Sequence, residues 1–121
     1  MKKLSCHCGG VEIEVNMPDQ FKKLMRCNCS LCKRKGTIMT MVEHGDLKIT
    51  KGQDLLKLYQ YHTKVAEHYF CSNCGIYTHH KMRSNPNMYG INVACLEGVK
   101  PFELENVLVN DGENHPMDKK Q

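Results

Sequence analysis

The chain has 121 residues, enough for one domain and too few for two ordinary ones. Its formal net charge is +4, and no stretch approaches the ~20 apolar residues that cross a membrane. No apolar run follows the basic start, so the sequence predicts no secretory signal and a reducing compartment, either the cytoplasm or a eukaryotic nucleus.

Short strands separated by turns account for most of the chain. Gly9 and Gly10 predict a tight turn, and the alternation of apolar and polar residues over 11–16 predicts a half-buried strand. The leucines of 55–61 fit a helix, but the aromatic residues there favour a strand. Further strands are predicted over 21–26, 37–42, 47–50, 65–70, 76–82 and 88–96, with a less regular element over 101–109.

The predicted fold is all-β, with small antiparallel sheets in one domain over 1–112 and a polar, mobile tail over 113–121. Only 40% of the residues are apolar, cysteine included, so the core is thin and bound metal would add stability. In a reducing compartment the eight cysteines are expected to bind metal or act in catalysis, and a disulfide framework is the competing interpretation.

Cys27, Cys29 and Cys32 form the pattern CxCxxC, and we call these three residues the triplet. Three thiolates this close can bind one ion but leave a tetrahedral Zn²⁺ one ligand short, which is the arrangement of catalytic zinc. Such a site favours a soft ligand, and an incoming thiol would lose its proton on binding. This chemistry suits the formation or cleavage of a carbon–sulfur bond at a small electrophile.

Two further cysteine pairs flank the triplet, and together they supply the four thiolates of a closed, structural zinc site: Cys6 with Cys8, and Cys71 with Cys74. The second pair is followed by Gly75, as in the turn of a zinc knuckle. The sequence therefore predicts two zinc ions per chain. The competing assignment places one zinc on Cys71, Cys74 and two cysteines of the triplet, and leaves the N-terminal pair free.

A fourth residue could close the triplet site. Cys95 is the first candidate, but alternation along 88–96 places it on the apolar face with Ile91 and Val93, so we expect it to pack in the core. His79 and His80 are the other candidates. Because neighbouring strand residues face opposite ways, at most one of these two can face the triplet.

Lys33, Arg34 and Lys35 form a compact basic run directly after the triplet. One interpretation is a solvated loop that offsets the negative zinc–thiolate cluster, since two filled zinc sites would lower the net charge to about +1. The other is a cationic rim that attracts an acidic ligand, such as a thiol that carries a carboxylate. We therefore predict these three residues as candidate contacts to the substrate.

Taken together, these motifs resemble the glutathione-dependent formaldehyde-activating enzyme family, which includes centromere protein V. The resemblance rests on Cys6-His7-Cys8-Gly9-Gly10-Val11, on the triplet followed by Lys33, and on Phe70-Cys71-Ser72-Asn73-Cys74-Gly75. The stretch Arg83-Ser84-Asn85-Pro86, followed by Gly90-Ile91 and Cys95-Leu96, is most similar to the centromere protein V branch.

The resemblance implies a β-tent fold similar to Mss4-like proteins, with a structural zinc on the four flanking cysteines. It also implies a second zinc on the triplet, where glutathione meets formaldehyde to give S-hydroxymethylglutathione. The expected function is a zinc-dependent carbon–sulfur lyase or synthase with glutathione as its small-molecule partner. The alternative is a non-catalytic zinc module that binds nucleic acid or protein, which the short basic run and the lack of an aromatic stripe disfavour.

Overall fold

The computed structural model describes residues 1–83 and 85–113. Within them the chain forms ten strands and one four-residue helix, joined by turns and short 3-10 segments. The strands are β1 (Lys2–Ser5), β2 (Glu12–Val15), β3 (Leu24–Cys27), β4 (Met39–Glu43), β5 (Leu47–Lys51), β6 (Leu56–Tyr59), β7 (Glu67–Cys71), β8 (Tyr77–Lys81), β9 (Met88–Asn92) and β10 (Val107–Asn110), and the helix is α1 (Cys32–Lys35). In this part of the chain no helix is both long and apolar enough to cross a membrane.

The strands form two sheets. The small sheet has the order β1-β2-β5 and is antiparallel throughout. The large sheet has the order β10-β3-β4-β9-β8-β7-β6, and its pairs are antiparallel except that β10 runs parallel to β3. A bridge between Leu4 and Leu96, with a bond from the Glu97 N–H to the Lys3 carbonyl at 2.9 Å, ties β1 to the segment after β9.

The strands predicted from 11–16 to 88–96 are all present, and the all-β class is confirmed. The sequence did not predict β1 or α1, and the predicted strand over 88–96 ends early. It ends at Asn92 because the side chain of Asn92 accepts a bond from the Ala94 N–H at 3.2 Å and caps a 3-10 turn. The element over 101–109 is a 3-10 segment followed by β10, whose parallel pairing was not predicted. Of the predicted tail 113–121, only Glu113 lies within the described residues.

The core lies between the small sheet and the centre of the large one. As the alternation predicts, Val11, Ile13 and Val15 are fully buried, while Glu14 between the last two is exposed. Burial of these side chains, together with Ile91 of β9, supplies the apolar contribution to folding.

One face of the large sheet carries residues in register across five strands. The pairing places Met41 opposite Gly90, Gly90 opposite His80, His80 opposite His68, and His68 opposite Tyr59. The two imidazole rings stack with their centroids 5.3 Å apart. Because Gly90 has no side chain, the ring of His80 lies over its Cα, and a Cβ at that position would overlap the ring.

The same face continues through the next two strands toward the triplet. Met39 lies two residues from Met41 on β4, and its partner on β3 is Met25. Cys27 follows Met25 by two residues, so its side chain lies on the same side of the sheet. The sheet therefore places methionines, histidines and the first cysteine of the triplet on one surface.

We expect Gly90→Ala to lower the free energy of unfolding by about 1–3 kcal/mol, because the new methyl group must displace the buried ring of His80. Gly45→Ala is the control, since a Cβ at Gly45 meets nothing within 4 Å. Its effect should stay within about 0.5 kcal/mol. Urea unfolding of both variants measures the difference, and equal stabilities would show that the ring moves aside without cost.

Candidate metal centres and the adjoining recess

Four cysteines meet where the turn after β1 touches the hairpin between β7 and β8. The Sγ atoms of Cys6, Cys8, Cys71 and Cys74 all lie within 4.8 Å of one another. Two of the separations are 3.6 Å, between Cys6 and Cys8, and 3.7 Å, between Cys8 and Cys71. Tetrahedral zinc with Zn–S bonds of about 2.3 Å requires sulfur atoms about 3.8 Å apart. The sulfur positions therefore fit one closed tetrahedral zinc site.

Backbone amides point at the sulfurs of this group, as a zinc–thiolate site requires. The Val11 N–H donates to Cys6 Sγ at 3.3 Å, and the Gly10 N–H donates to Cys8 Sγ at 3.4 Å. The pKa of Cys8 is lowered to about 6, first by a hydrogen bond from the Asn73 side chain and next by the Gly10 N–H. These donors stabilise thiolate, the form that binds metal.

The triplet is formed by the end of β3 and the turn into α1. Cys27 is the last residue of β3, and Cys32 is the first residue of α1. The turn is closed by a bond from the Lys33 N–H to the Cys29 carbonyl at 2.9 Å, and the Cys32 N–H donates to Cys29 Sγ at 3.3 Å. As a result the three sulfur atoms also lie within 4.8 Å of one another.

Three thiols at this spacing interact strongly. Hydrogen bonds from Cys27 and Cys32 hold the pKa of Cys29 far below its ordinary value, and contacts with Cys27 and Cys29 raise the pKa of Cys32. The group therefore favours one thiolate and resists the loss of further protons. A divalent cation would offset this repulsion, and three soft sulfur donors suit zinc.

Two side chains that are distant from the triplet in sequence donate to it, one from the loop after β6 and one from β10. The Tyr61 hydroxyl lies 3.6 Å from Cys29 Sγ, and Nδ2 of Asn110 lies 3.8 Å from Cys27 Sγ. Burial, followed by the bond to Cys29, raises the pKa of Tyr61, so its hydroxyl stays protonated and donates. Both contacts stabilise negative charge on the sulfurs without adding a metal ligand.

Within the described part of the chain no fourth Cys, His, Asp or Glu completes the triplet. Cys95 packs against the core, as predicted, although it lies in a 3-10 turn rather than on a strand. Its Sγ is 3.8 Å from the carbonyl oxygen of Tyr77, and burial raises its pKa to about 11. His79 faces away from the triplet and stacks on Tyr69 with ring centroids 4.8 Å apart. Of the two adjacent histidines only His80 lines the recess beside the triplet, as predicted.

That recess opens directly onto the triplet and has a volume of about 80 Å³. Its lining includes methionine side chains and the rings of Tyr61, His68 and His80. The recess leaves space for a small ligand beside the three sulfur atoms. This open side distinguishes the triplet from the four-cysteine group, whose four sulfur atoms would fill all the positions around a tetrahedral ion.

The C-terminal strand covers one side of the triplet. The parallel pairing of β10 with β3 places Asn110 opposite Cys27, and the Asn28 N–H donates to the Asn110 carbonyl at 3.2 Å. The Glu113 N–H then donates to Oδ1 of Asn28 at 2.9 Å. Gly112 lies so close that a Cβ would overlap Cys27 Sγ, so the absence of a side chain there leaves room for the sulfur.

The two histidines beside the triplet are uncharged at neutral pH. Burial, followed by repulsion from Lys35, lowers the pKa of His68 to about 4 and that of His80 to about 3. Nδ1 of His68 lies 3.2 Å from Lys35 Nζ, and Nδ1 of His80 lies 2.6 Å from the Tyr77 hydroxyl. The recess therefore contains neutral imidazoles whose orientation is fixed by hydrogen bonds.

The basic run after the triplet divides between two environments. Lys33 and Arg34 are exposed on α1, and Nη1 of Arg34 donates to the Ser30 carbonyl at 2.6 Å. Lys35 turns inward, and its ammonium lies 3.6 Å from the centroid of the Tyr77 ring. Among the described residues that line the recess beside the triplet, the cationic side chain is Arg83 rather than a member of the run. Contact of Lys33 and Arg34 with a ligand stays a prediction.

Tyr61, His68, Asn110 and the methionines were not predicted as site residues. None belongs to a local motif, and they come from segments that are far apart along the chain. One signal was available: His68 and His80 point to the same face if the predicted strands over 65–70 and 76–82 pair as a hairpin. The pairing of β3 with β10 and β4 had no such signal.

The chain is similar to known proteins in sequence and in structure. A family model described as "Glutathione-dependent formaldehyde-activating enzyme" matches residues 1–108. An Emericella nidulans protein named "Putative glutathione-dependent formaldehyde-activating enzyme" is 24% identical to this chain over 99 residues. The match covers 78% of this chain and 50% of that protein, so the chain spans half the length of this relative. A crystal structure of a Rhodobacter sphaeroides protein is 50% identical, with a TM-score of 0.85, and the match covers 89% of this chain and 99% of that one. The structural likeness confirms the predicted fold class.

We expect purified protein to contain two zinc ions per chain, and Cys71→Ser to keep one of them. Loss of the closed site should lower the free energy of unfolding by more than about 4 kcal/mol, since the metal joins segments far apart in the chain. Cys95→Ala is the control, because Cys95 belongs to neither group. It should keep two zinc ions. Metal analysis and urea unfolding test this, and two zinc ions in Cys71→Ser would contradict the assignment.

Proposed function

Because the chain belongs to the glutathione-dependent formaldehyde-activating enzyme family, we propose that it is a zinc-dependent carbon–sulfur lyase or synthase. Its substrate would be the adduct of glutathione, or a related thiol, with formaldehyde or a related aldehyde. One observation carries the proposal: Cys27, Cys29 and Cys32 converge at an open recess, whereas the other group has four ligands. The name of the fungal relative supports the choice of substrate, which for this chain is part of the proposal.

Zinc bound by Cys27, Cys29 and Cys32 would supply an exchangeable fourth position and lower the pKa of a thiol placed there. The chain's own contribution is to hold three thiolates in place, through the Cys32 N–H, the Tyr61 hydroxyl and the Asn110 amide. These bonds fix the sulfur positions and leave the recess side free for a ligand.

The reaction needs one proton transfer and no oxidant or reductant. Addition of a thiol to an aldehyde forms a carbon–sulfur bond, and the carbonyl π bond opens to a hydroxyl group. The proton that leaves the thiol sulfur ends on the former carbonyl oxygen. Cleavage of the adduct reverses each of these changes, so the same residues serve both directions.

His68 is placed to hydrogen-bond the aldehyde oxygen. A protonated Lys35 offers only donors, so Nδ1 of His68 accepts its hydrogen bond and the proton of the neutral ring lies on Nε2. A neutral imidazole can donate this proton to an oxygen that gains negative charge, and His80 provides a second neutral ring beside it. The methionine walls limit the access of water to the reacting atoms.

Lys33 and Arg34 are retained in the proposal as candidate contacts for acidic groups of the thiol that lie outside the recess. Both side chains are exposed on α1, which begins at a cysteine of the triplet. Their positive charge would attract an anionic ligand toward the open side of the site.

We expect Cys29→Ser to lose thiol binding and catalysis while the domain stays folded on its closed zinc site. Exchange between glutathione and S-hydroxymethylglutathione, measured by magnetisation-transfer NMR, should fall to the spontaneous rate. X-ray absorption of the wild type should show that glutathione changes the sulfur coordination of one zinc, and this change should be absent in the variant. The reason is that serine replaces a thiolate with a poor zinc ligand.

Cys95→Ala is again the control, and it should retain the exchange rate of the wild type. If glutathione changes the sulfur coordination of neither zinc ion in the wild type, the proposal is contradicted. The alternative, a zinc-stabilised binding module, would then remain. Full exchange activity in Cys29→Ser would show that the reaction does not take place at the triplet.

A further inference from the structure

A second recess adjoins the first and has a volume of about 300 Å³. His68 lines both recesses, so the two recesses adjoin at this residue. The remaining wall is formed mainly by aromatic rings, including Tyr59, Tyr69 and Tyr77. The described residues that line it include no Asp or Glu, and its one cationic side chain is Lys35.

Lys35 holds an ammonium group in these aromatic surroundings, and within residues 1–83 and 85–113 no ion pair to it is found. Its Nζ lies 3.2 Å from His68 Nδ1 and 3.6 Å from the centroid of the Tyr77 ring. The imidazole of His68 accepts one hydrogen bond from the ammonium group, and the face of the Tyr77 ring attracts its positive charge. Neither group neutralises that charge. Among the described residues no carboxylate forms an ion pair with Lys35. A partly buried charge of this kind calls for a negative partner.

The triplet could itself be that partner, because deprotonated thiols attract Lys35 through space. This attraction acts at a distance, since the groups that Lys35 contacts are His68 and Tyr77. It explains why the charge is tolerated at this depth. It does not explain why the ammonium borders an aromatic recess that is open to solvent.

The size of the first recess also bears on where the remainder of a thiol ligand would bind. A thiol as large as a tripeptide extends well beyond its sulfur atom, so a thiol bound at the triplet would also contact the surroundings of the first recess, whose volume is about 80 Å³. The aromatic recess is adjacent, is larger, and offers a positive charge together with apolar walls.

We propose that the aromatic recess binds a carboxylate group of the same thiol ligand whose sulfur binds at the triplet site. Lys35 is the cationic partner of this carboxylate. The inference rests on the function proposed above and names the part of the substrate that gives affinity. The ligand would pass over the ring of His68, with its carbon chain against the aromatic walls. A thiol without a carboxylate would use the triplet alone.

Isothermal titration calorimetry with three probes tests this inference. Glutathione carries thiol and carboxylates, S-methylglutathione carries carboxylates but no free thiol, and 2-mercaptoethanol carries a thiol but no carboxylate. We expect Lys35→Met to weaken binding of the first two by at least about tenfold, as for loss of a hydrogen bond to a charged group. Binding of 2-mercaptoethanol should change by less than about twofold. Lys48→Met, an exposed lysine of the small sheet, is the charge control and should bind all three like the wild type.

A ligand-side experiment on the wild type does not depend on the folding of a variant. The dimethyl ester of glutathione keeps the thiol and loses both carboxylate charges, so it should bind at least about tenfold more weakly than glutathione. Equal affinity for the ester would overturn the inference.

The outcomes separate this inference from the proposed function. Normal glutathione binding in Lys35→Met, together with normal binding of 2-mercaptoethanol, overturns the inference and leaves the thiol site intact. Equal weakening of all three probes also overturns it, because Lys35 would then act through the triplet. Failure of 2-mercaptoethanol to bind the wild type would count against the proposed function, whereas Lys35-dependent binding of S-methylglutathione would still support a carboxylate site.

Discussion

The convergence of four cysteine sulfurs from two sheets is the constraint on which the rest of the structure depends. Cys6 and Cys8 follow the first strand of the small sheet, and Cys71 and Cys74 belong to a hairpin of the large sheet. The apolar core between the sheets is small, so burial alone gives limited stability. The sulfur spacings are close to those of tetrahedral zinc, and a metal bound there would add stability to the Mss4-like fold shared with the Rhodobacter protein.

The triplet also consists of cysteines, but it differs from the four-cysteine group in the number of sulfur atoms and in their surroundings. Three sulfurs leave a tetrahedral position unfilled, and that position faces a recess rather than a fourth side chain. Donors from Tyr61 and Asn110 stabilise the sulfurs from the outside, and Gly112 passes close to them without a Cβ. With zinc bound, the closed group would stabilise the fold, and the open group would be able to exchange a ligand.

The register of the large sheet links the fold to the chemistry. Because His68, His80 and Gly90 are opposite one another on three adjacent strands, two imidazoles stack beside the triplet and the glycine leaves space for one of them. Burial keeps both rings neutral, and Lys35 fixes the tautomer of the first. His68, whose ring Lys35 contacts, lines both the recess beside the triplet and the aromatic recess.

The cysteine groups, the all-β class and most of the strands could be predicted from the amino-acid sequence, because they depend on local spacing. The CxC, CxCxxC and CxxC motifs each lie within a few residues, and alternation gives the buried face of 11–16. Adjacent positions also showed that His79 and His80 cannot both face the triplet. What surrounds those motifs depends on contacts between segments that are far apart in the chain. The placement of Tyr61, His68 and Asn110 depends on pairing between distant strands, and the inward turn of Lys35 depends on the ring of Tyr77, for which the sequence carries no local signal.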